Sequence, residues 1–140
     1  MKPINQFRVP AFAKINLDLR VLGKRDDGYH ELCTKFQTVS LADHLTFSHS
    51  SELTLTCDVA SVPIDSENLI IKAAEILRKT YGIKNGASVH LEKLIPSPGG
   101  LGGGSADCAV ALMGFARLWG LKLKLAELVN LGSQLGSDVP

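Results

Sequence analysis

Five of the chain's 13 glycines fall within six positions, inside the run Pro96-Ser97-Pro98-Gly99-Gly100-Leu101-Gly102-Gly103-Gly104-Ser105-Ala106-Asp107. Glycine in regular structure costs about 0.5–1 kcal/mol relative to alanine, so such density is justified where backbone takes positive φ or approaches something closely. A polyphosphate is the natural candidate. Successive main-chain N–H groups can curl around phosphate oxygens, and a helix starting just after the run adds unpaired amides and the positive end of its dipole. The run matches neither G-x-x-x-x-G-K-[ST] nor G-x-G-x-x-G, because Ser105 stands where the third glycine of the latter would fall, so neither familiar phosphate loop is present. Asp107, in the first turn of the following helix, reads most simply as a helix-end stabiliser worth about 0.3–1 kcal/mol. A flexible linker would share this composition, but a strand before the run and an apolar helix after it argue against one.

The elements around the loop follow from periodicity. From Ala13 to Val21 apolar residues (Ala13, Ile15, Leu17, Leu19, Val21) alternate with polar ones (Lys14, Asn16, Asp18, Arg20), the period of a half-buried strand, which puts Lys14 and Asn16 on one face. Gly23 to Gly28 supply turn residues, so this strand forms a hairpin with one near Glu31 to Val39, and Tyr29 and His30 sit where the loop re-enters the sheet. Short strands are expected at Leu45–Ser48, Leu53–Val59 and Ala87–Ile95. Asp65-Ser66 offer caps for a helix through Leu69, Ile70, Ala73, Ala74, Leu77 and Tyr81, stopped by Gly82. Two further helices are expected, about Asp107 to Trp119 and Leu125 to Leu135. Strands come first and helices mostly later, so the expected class is α+β rather than a doubly wound sheet.

With 140 residues, 45% hydrophobic and 21% charged, the chain has the composition of one soluble core. A formal net charge of +1 leaves no single-sign field to hold nucleic acid or an anionic membrane surface, which points to small-molecule partners. Cys33, Cys57 and Cys108 are an odd set without a C-x-x-C pair, read as small buried hydrophobes in a reducing, cytoplasmic compartment. The start of the chain lacks the apolar region of a secretory signal, and no stretch approaches the roughly 20 apolar residues of a membrane span. The sequence stops at Gly136-Ser137-Asp138-Val139-Pro140 with no closing element, so residues 1–140 are expected to be one domain cut from a longer protein.

Three segments together carry a family resemblance. The run from Ile95 to Asp107 resembles the second motif of the GHMP kinases, in the G-L-G-G-G-S-S-[DN] form of the branch acting on a cytidine-diphosphate-linked polyol. Ala13-Lys14-Ile15-Asn16-Leu17 followed by Asp27-Gly28-Tyr29-His30-Glu31-Leu32 is similar to that branch's N-terminal signature, and Leu135-Gly136-Ser137-Asp138-Val139-Pro140 to its L-G-[AS]-D-V-P segment. The chain departs at Pro98, which replaces a common glycine and removes a donor, and at Ala106, which replaces a serine and removes a hydroxyl. The main-chain donors from Gly100 to Ser105 are untouched by either.

The resemblance implies a two-layer N-terminal ATP-binding domain like ribosomal protein S5 domain 2, in a longer enzyme that moves the γ-phosphoryl of ATP, with Mg²⁺, to the 2-hydroxyl of the polyol in isoprenoid precursor synthesis. It assigns Asp138 as the base for that hydroxyl and Lys14 as the cation beside it, which suits their chemistry: a carboxylate activates a poor nucleophile, and a cation keeps it ionised and meets developing charge. Pro96, Ser97, Pro98, Gly99, Gly100, Leu101, Gly102, Gly103, Gly104, Ser105 and Ala106 would hold ATP, with Asn68 and Lys93 near adenine, although Asn68 equally suits a helix cap. Asn16 would address the polyol, and Tyr29 and His30 the cytosine. His44, His49 and His90 match no motif and are read as structural; no metal ligand is assigned. A non-catalytic nucleotide-binding fragment is the alternative. An RNA-binding role suggested by the fold alone is disfavoured by the near-neutral charge.

Overall fold

A computed structural model describes residues 5–140. Its elements are β1 (Gln6–Lys24), β2 (His30–Ser50), β3 (Leu53–Cys57), α1 (Leu69–Tyr81), β4 (Gly86–Glu92), α2 (Gly103–Leu118) and α3 (Leu125–Leu135). The strands form one sheet in the order β1-β2-β4-β3, with β1–β2 and β2–β4 antiparallel and β3–β4 parallel. The parallel pair is the one joined through α1, as a crossover connection requires. Period-2 patterning orients the sheet: Leu45, Phe47, Leu55, Val89 and Leu91 are buried toward the helices, while Thr54, Thr56 and His90 face outward. The expected α+β class holds, as one helical layer on one face of a mixed sheet.

Three helices close that face. Asn68 caps α1, its Oδ1 accepting from the Ile70 amide at 2.8 Å, and Gly82 ends it in the left-handed conformation at φ 65°. Asp65 is therefore not the cap expected of Asp65-Ser66; its carboxylate accepts from the Glu67 amide at 3.0 Å and builds the preceding turn instead. α2 begins at Gly103, four residues before the expected Asp107, and lies at the centre, with Cys108, Ala111, Leu112 and Phe115 all at 2% exposure or less. Phe47 from the sheet stands edge-on to Phe115, and its ring tip fills the space where Gly114 would carry a Cβ. Gly114→Ala should therefore destabilise the fold by about 1–3 kcal/mol through overpacking, read as a lower denaturation midpoint. An unchanged midpoint would mean that the ring has room to move. No helix among the described residues is long and apolar enough to cross a membrane.

The β1–β2 hairpin departs most from expectation. β1 reaches back to Gln6, and β2 is one strand from His30 to Ser50 rather than two short ones. Pro10 lies inside β1 without cost because β1 is an edge strand, paired only with β2. Since β4 pairs with β2 only from His44 to Ser50, the far half of the hairpin is a two-stranded ribbon projecting beyond the sheet. The strand expected to be half-buried is exposed there: Leu17 at 62%, Leu19 at 54% and Val21 at 63%. No helix of the described chain covers it, and register shifts between Asn16 and Asp18 and between Val21 and Gly23 break the alternation. Cys33, on this ribbon, is exposed rather than a buried hydrophobe; Cys57 is half-buried and Cys108 fully buried.

Candidate active site

The glycine run leaves the end of β4, crosses two left-handed glycines, Gly100 at φ 66° and Gly102 at φ 68°, and enters α2 directly. Ala106 donates to the Gly102 carbonyl at 2.9 Å, the first bond of the helix. The amides of Gly103, Gly104 and Ser105 precede it and so have no intrahelical acceptor. No side chain caps them either. The result is a cup of main-chain donors at the positive end of a 16-residue helix, the arrangement that binds anions.

β1 is tied to this cup at Lys14. The Lys14 amide donates to the Leu101 carbonyl at 3.0 Å. Its side-chain stem runs close to Gly102, where a Cβ would lie 3.0 Å from Lys14 Cε, and the positive φ of position 102 is what calls for glycine. The ammonium donates to Asn16 Oδ1 at 2.8 Å and lies 5.1 Å from the centre of the Phe36 ring; Asn16 Nδ2 in turn donates to the Thr34 hydroxyl at 2.9 Å. Asp138 arrives from the other end of the chain. Val139, 5% exposed, packs into the space left by Gly132 and Gly136 and fixes the turn that presents Asp138. Lys14, Gly102, Ser105, Ser137 and Asp138 line one cavity of about 280 Å³.

Two larger spaces adjoin. Tyr29, His30 and Arg25 face Asp138 and Gly136 across a cavity of about 720 Å³. The ribbon's tip is ordered by an Arg25–Asp27 ion pair at 2.9 Å and by the Tyr29 amide donating to Asp27 Oδ1 at 3.1 Å. The Tyr29 ring is 69% exposed, available to stack. On the other side of the loop, Asn68, Lys93, Ser97, Gly104 and Asp107 line a cavity of about 300 Å³.

The ammonium of Lys93 is committed elsewhere than to a ligand. It bonds Asp43 at 2.5 Å and Asp107 at 3.2 Å, with all three side chains at 9% exposure or less. Asp43 also accepts from the amides of Leu94 and Ile95 at 2.7 and 2.8 Å. Burial pushes the Asp43 carboxyl up, but these amides and Lys93 outweigh it and hold the group below its ordinary range. Asp107 goes the other way: burial above all, then its neighbour Asp43, pushes it up to about 7. Asp107 is thus a buried partner rather than only a helix-end stabiliser. Asn68 is likewise occupied, since its Nδ2 donates to the Pro63 carbonyl at 2.8 Å while its Oδ1 caps α1. Asp43 was missed in the sequence; the signal was a lone carboxylate in the apolar stretch Leu41-Ala42-Asp43-His44-Leu45 of a strand.

An amide cup at a helix start, a lysine laid across its glycine and a carboxylate in the same cavity, carried on a β-rich two-layer fold, define a class. The chain belongs to the GHMP kinases: the model described as "GHMP kinases N terminal domain" matches residues 68–140, more than half of it. More particularly, it is 50% identical over 135 residues to a 4-diphosphocytidyl-2-C-methyl-D-erythritol kinase of Synechococcus sp. (strain CC9605), covering 94% of this chain and 44% of that one. It is 48% identical over 130 residues to the enzyme of that name from Enterococcus faecalis, covering 91% and 46%. A crystal structure of 4-(cytidine 5'-diphospho)-2C-methyl-D-erythritol kinase superposes with a TM-score of 0.80 at 39% identity, over 96% of this chain and 47% of that one. The chain therefore spans about half the length of the curated relatives it matches.

Proposed function

We propose that the chain is the nucleotide-binding part of an enzyme that transfers the γ-phosphoryl group of ATP to the 2-hydroxyl of 4-diphosphocytidyl-2-C-methyl-D-erythritol. The observation that carries this reading is the single cavity shared by Lys14, Gly102, Ser105 and Asp138. The amides of Gly103, Gly104 and Ser105 hold the polyphosphate, with Ser105 on the wall of this cavity and Gly104 on the wall of the one beside Asn68. Asp138 accepts the proton of the attacking hydroxyl, and Lys14 meets the charge developing on the transferred group. Asn16 orients the Lys14 ammonium and can bond a polyol hydroxyl beside it. The cytidine occupies the adjoining space, stacked on Tyr29 with His30 at its edge, and the adenosine lies across the loop beside Asn68 and Ser97. Lys93 supports that side from beneath. Little covalent chemistry falls to the protein; alignment and charge stabilisation dominate.

Among the described residues no group of three or more His, Cys, Asp or Glu could hold a metal ion, and Asp138 is the one carboxylate lining the Lys14 cavity. That donor set fits Mg²⁺ held mainly by phosphate oxygens and water, with Asp138 the one anionic side chain on its side of the cavity. When bound, the ion neutralises charge on the β- and γ-phosphates. A reducing, cytoplasmic setting belongs to the same reading, supported by the odd cysteine count.

The test is ADP release by the complete polypeptide, offered the cytidine-linked polyol, mevalonate or homoserine in separate reactions. Turnover is expected with the first alone. Turnover with mevalonate or homoserine and none with the cytidine-linked polyol would move the chain to another branch of the family.

A further inference from the structure

The Asp43–Lys93–Asp107 cluster lies directly under the amide cup, and phosphoryl transfer as described makes no use of its charge. Its three members come from β2, from the segment after β4 and from α2. Gly103, the first residue of α2, rests on it so closely that a Cβ there would come within 2.9 Å of Lys93 Nζ. Two carboxylates against one ammonium leave a net negative charge if all three ionise. That charge would sit within about one helical turn of donors that must hold an anion, opposing the helix dipole. Asp107 Oδ1 is also buried with no hydrogen-bond partner. A carboxylate pair has no donor of its own; a single proton on Asp107 supplies one and makes the cluster neutral.

We propose that Asp107 is a positioning residue of the cup that takes up a proton when polyphosphate binds, so that the Asp43–Lys93–Asp107 cluster is neutral beneath a bound nucleotide. This rests on the nucleotide-binding reading above. The position of the equilibrium suits the role, because burial first and Asp43 second push Asp107 up to about 7, near the point where either form is accessible. The charged groups facing it are Asp43 from β2 and Lys93 beyond β4, with Glu67 on the wall of the adjoining cavity. Its neighbour Cys108, pushed up to about 11 chiefly by burial, stays neutral throughout. A bound polyphosphate adds negative charge nearby and favours the protonated acid further. By linkage, the proton must then favour the polyphosphate equally.

The experiment is calorimetric titration of the complete polypeptide with ADP and Mg²⁺ from pH 6 to 9, in pairs of buffers with different ionisation heats, comparing wild type with Asp107→Asn. If binding raises the pKa by about one unit, wild type takes up about half a proton near pH 7.5, and its affinity falls several-fold more steeply toward pH 9 than that of the variant. Titration of the nucleotide itself is common to both proteins and cancels. Equal proton uptake and equal pH slopes in the two proteins would overturn the proposal, as would the absence, in wild type alone, of proton uptake near pH 7.5 beyond that of the nucleotide's own titration. Failure of wild type to bind ADP at any pH would instead overturn the nucleotide-binding reading on which the proposal stands.

Discussion

Asp138→Asn is expected to lower kcat of the complete polypeptide by about 10²–10⁴-fold while leaving nucleotide affinity unchanged. Asparagine keeps the shape of the side chain, so Val139 stays packed over Gly132 and the turn holds. What is lost is the lone pair that accepts the substrate proton. Asp138 lines the Lys14 cavity and the Tyr29 cavity but not the one beside Asn68 and Ser97, which is why ATP binding should survive. Steady-state ADP release and a separate nucleotide titration measure the two effects. A variant with near-normal kcat but weakened ATP binding would show that the carboxylate serves the nucleotide and that the base lies elsewhere.

Lys14→Met should cost about 10²–10³-fold in kcat, the scale of removing one charge-stabilising group from a phosphoryl-transfer site. Methionine retains an unbranched apolar stem to lie against Gly102, and the Lys14 main-chain bond to Leu101 does not depend on the side chain, so the cup should keep its form. The thermal midpoint should move little, since the ammonium's partners, Asn16 and the Phe36 ring, are on the exposed ribbon. If the two residues act on one proton and one developing charge, the double variant Lys14→Met with Asp138→Asn should lose less than the product of the single losses. Strict multiplicativity would separate their roles.

Much of this was legible where local signals act alone. α3 begins and ends where its apolar pattern and Gly136 put it, α1 stops at Gly82, and β3 starts at Leu53. The errors lie where tertiary packing overrides local preference. Gly103 and Gly104 are poor helix formers, so α2 reads as starting at Asp107, yet the buried face of that helix and the open amide cup carry it back to Gly103. The alternation from Ala13 to Val21 does describe a strand but says nothing of a covering layer, and here none is present among the described residues. For the site, the glycine density and the spacing of Lys14 and Asn16 on one face were readable without coordinates. Lys93 was singled out for adenine, whereas its ammonium is held by Asp43, a residue 50 positions away in sequence whose approach no local pattern encodes.

The register of the β1–β2 hairpin bears on which changes in chain length the protein can absorb. Opposite Ala13, three residues of β2, Val39 to Leu41, are accommodated between the pairs Phe12–Ala42 and Lys14–Thr38; further out, Leu17 and Leu22 of β1 each lack a counterpart, and the offsets cancel before the tip. Changes of length in β1 toward the tip are thus absorbed locally, because the ribbon already carries an extra β1 residue at two places there. Between Ala11, buried in the core, and Lys14, clasped to Leu101, the surplus residues lie on β2, and β1 itself is held at both ends. One residue more or fewer in that short interval would turn the lysine to the opposite side of the strand, so homologous chains should vary in length at the hairpin's end and hold a fixed count at its root.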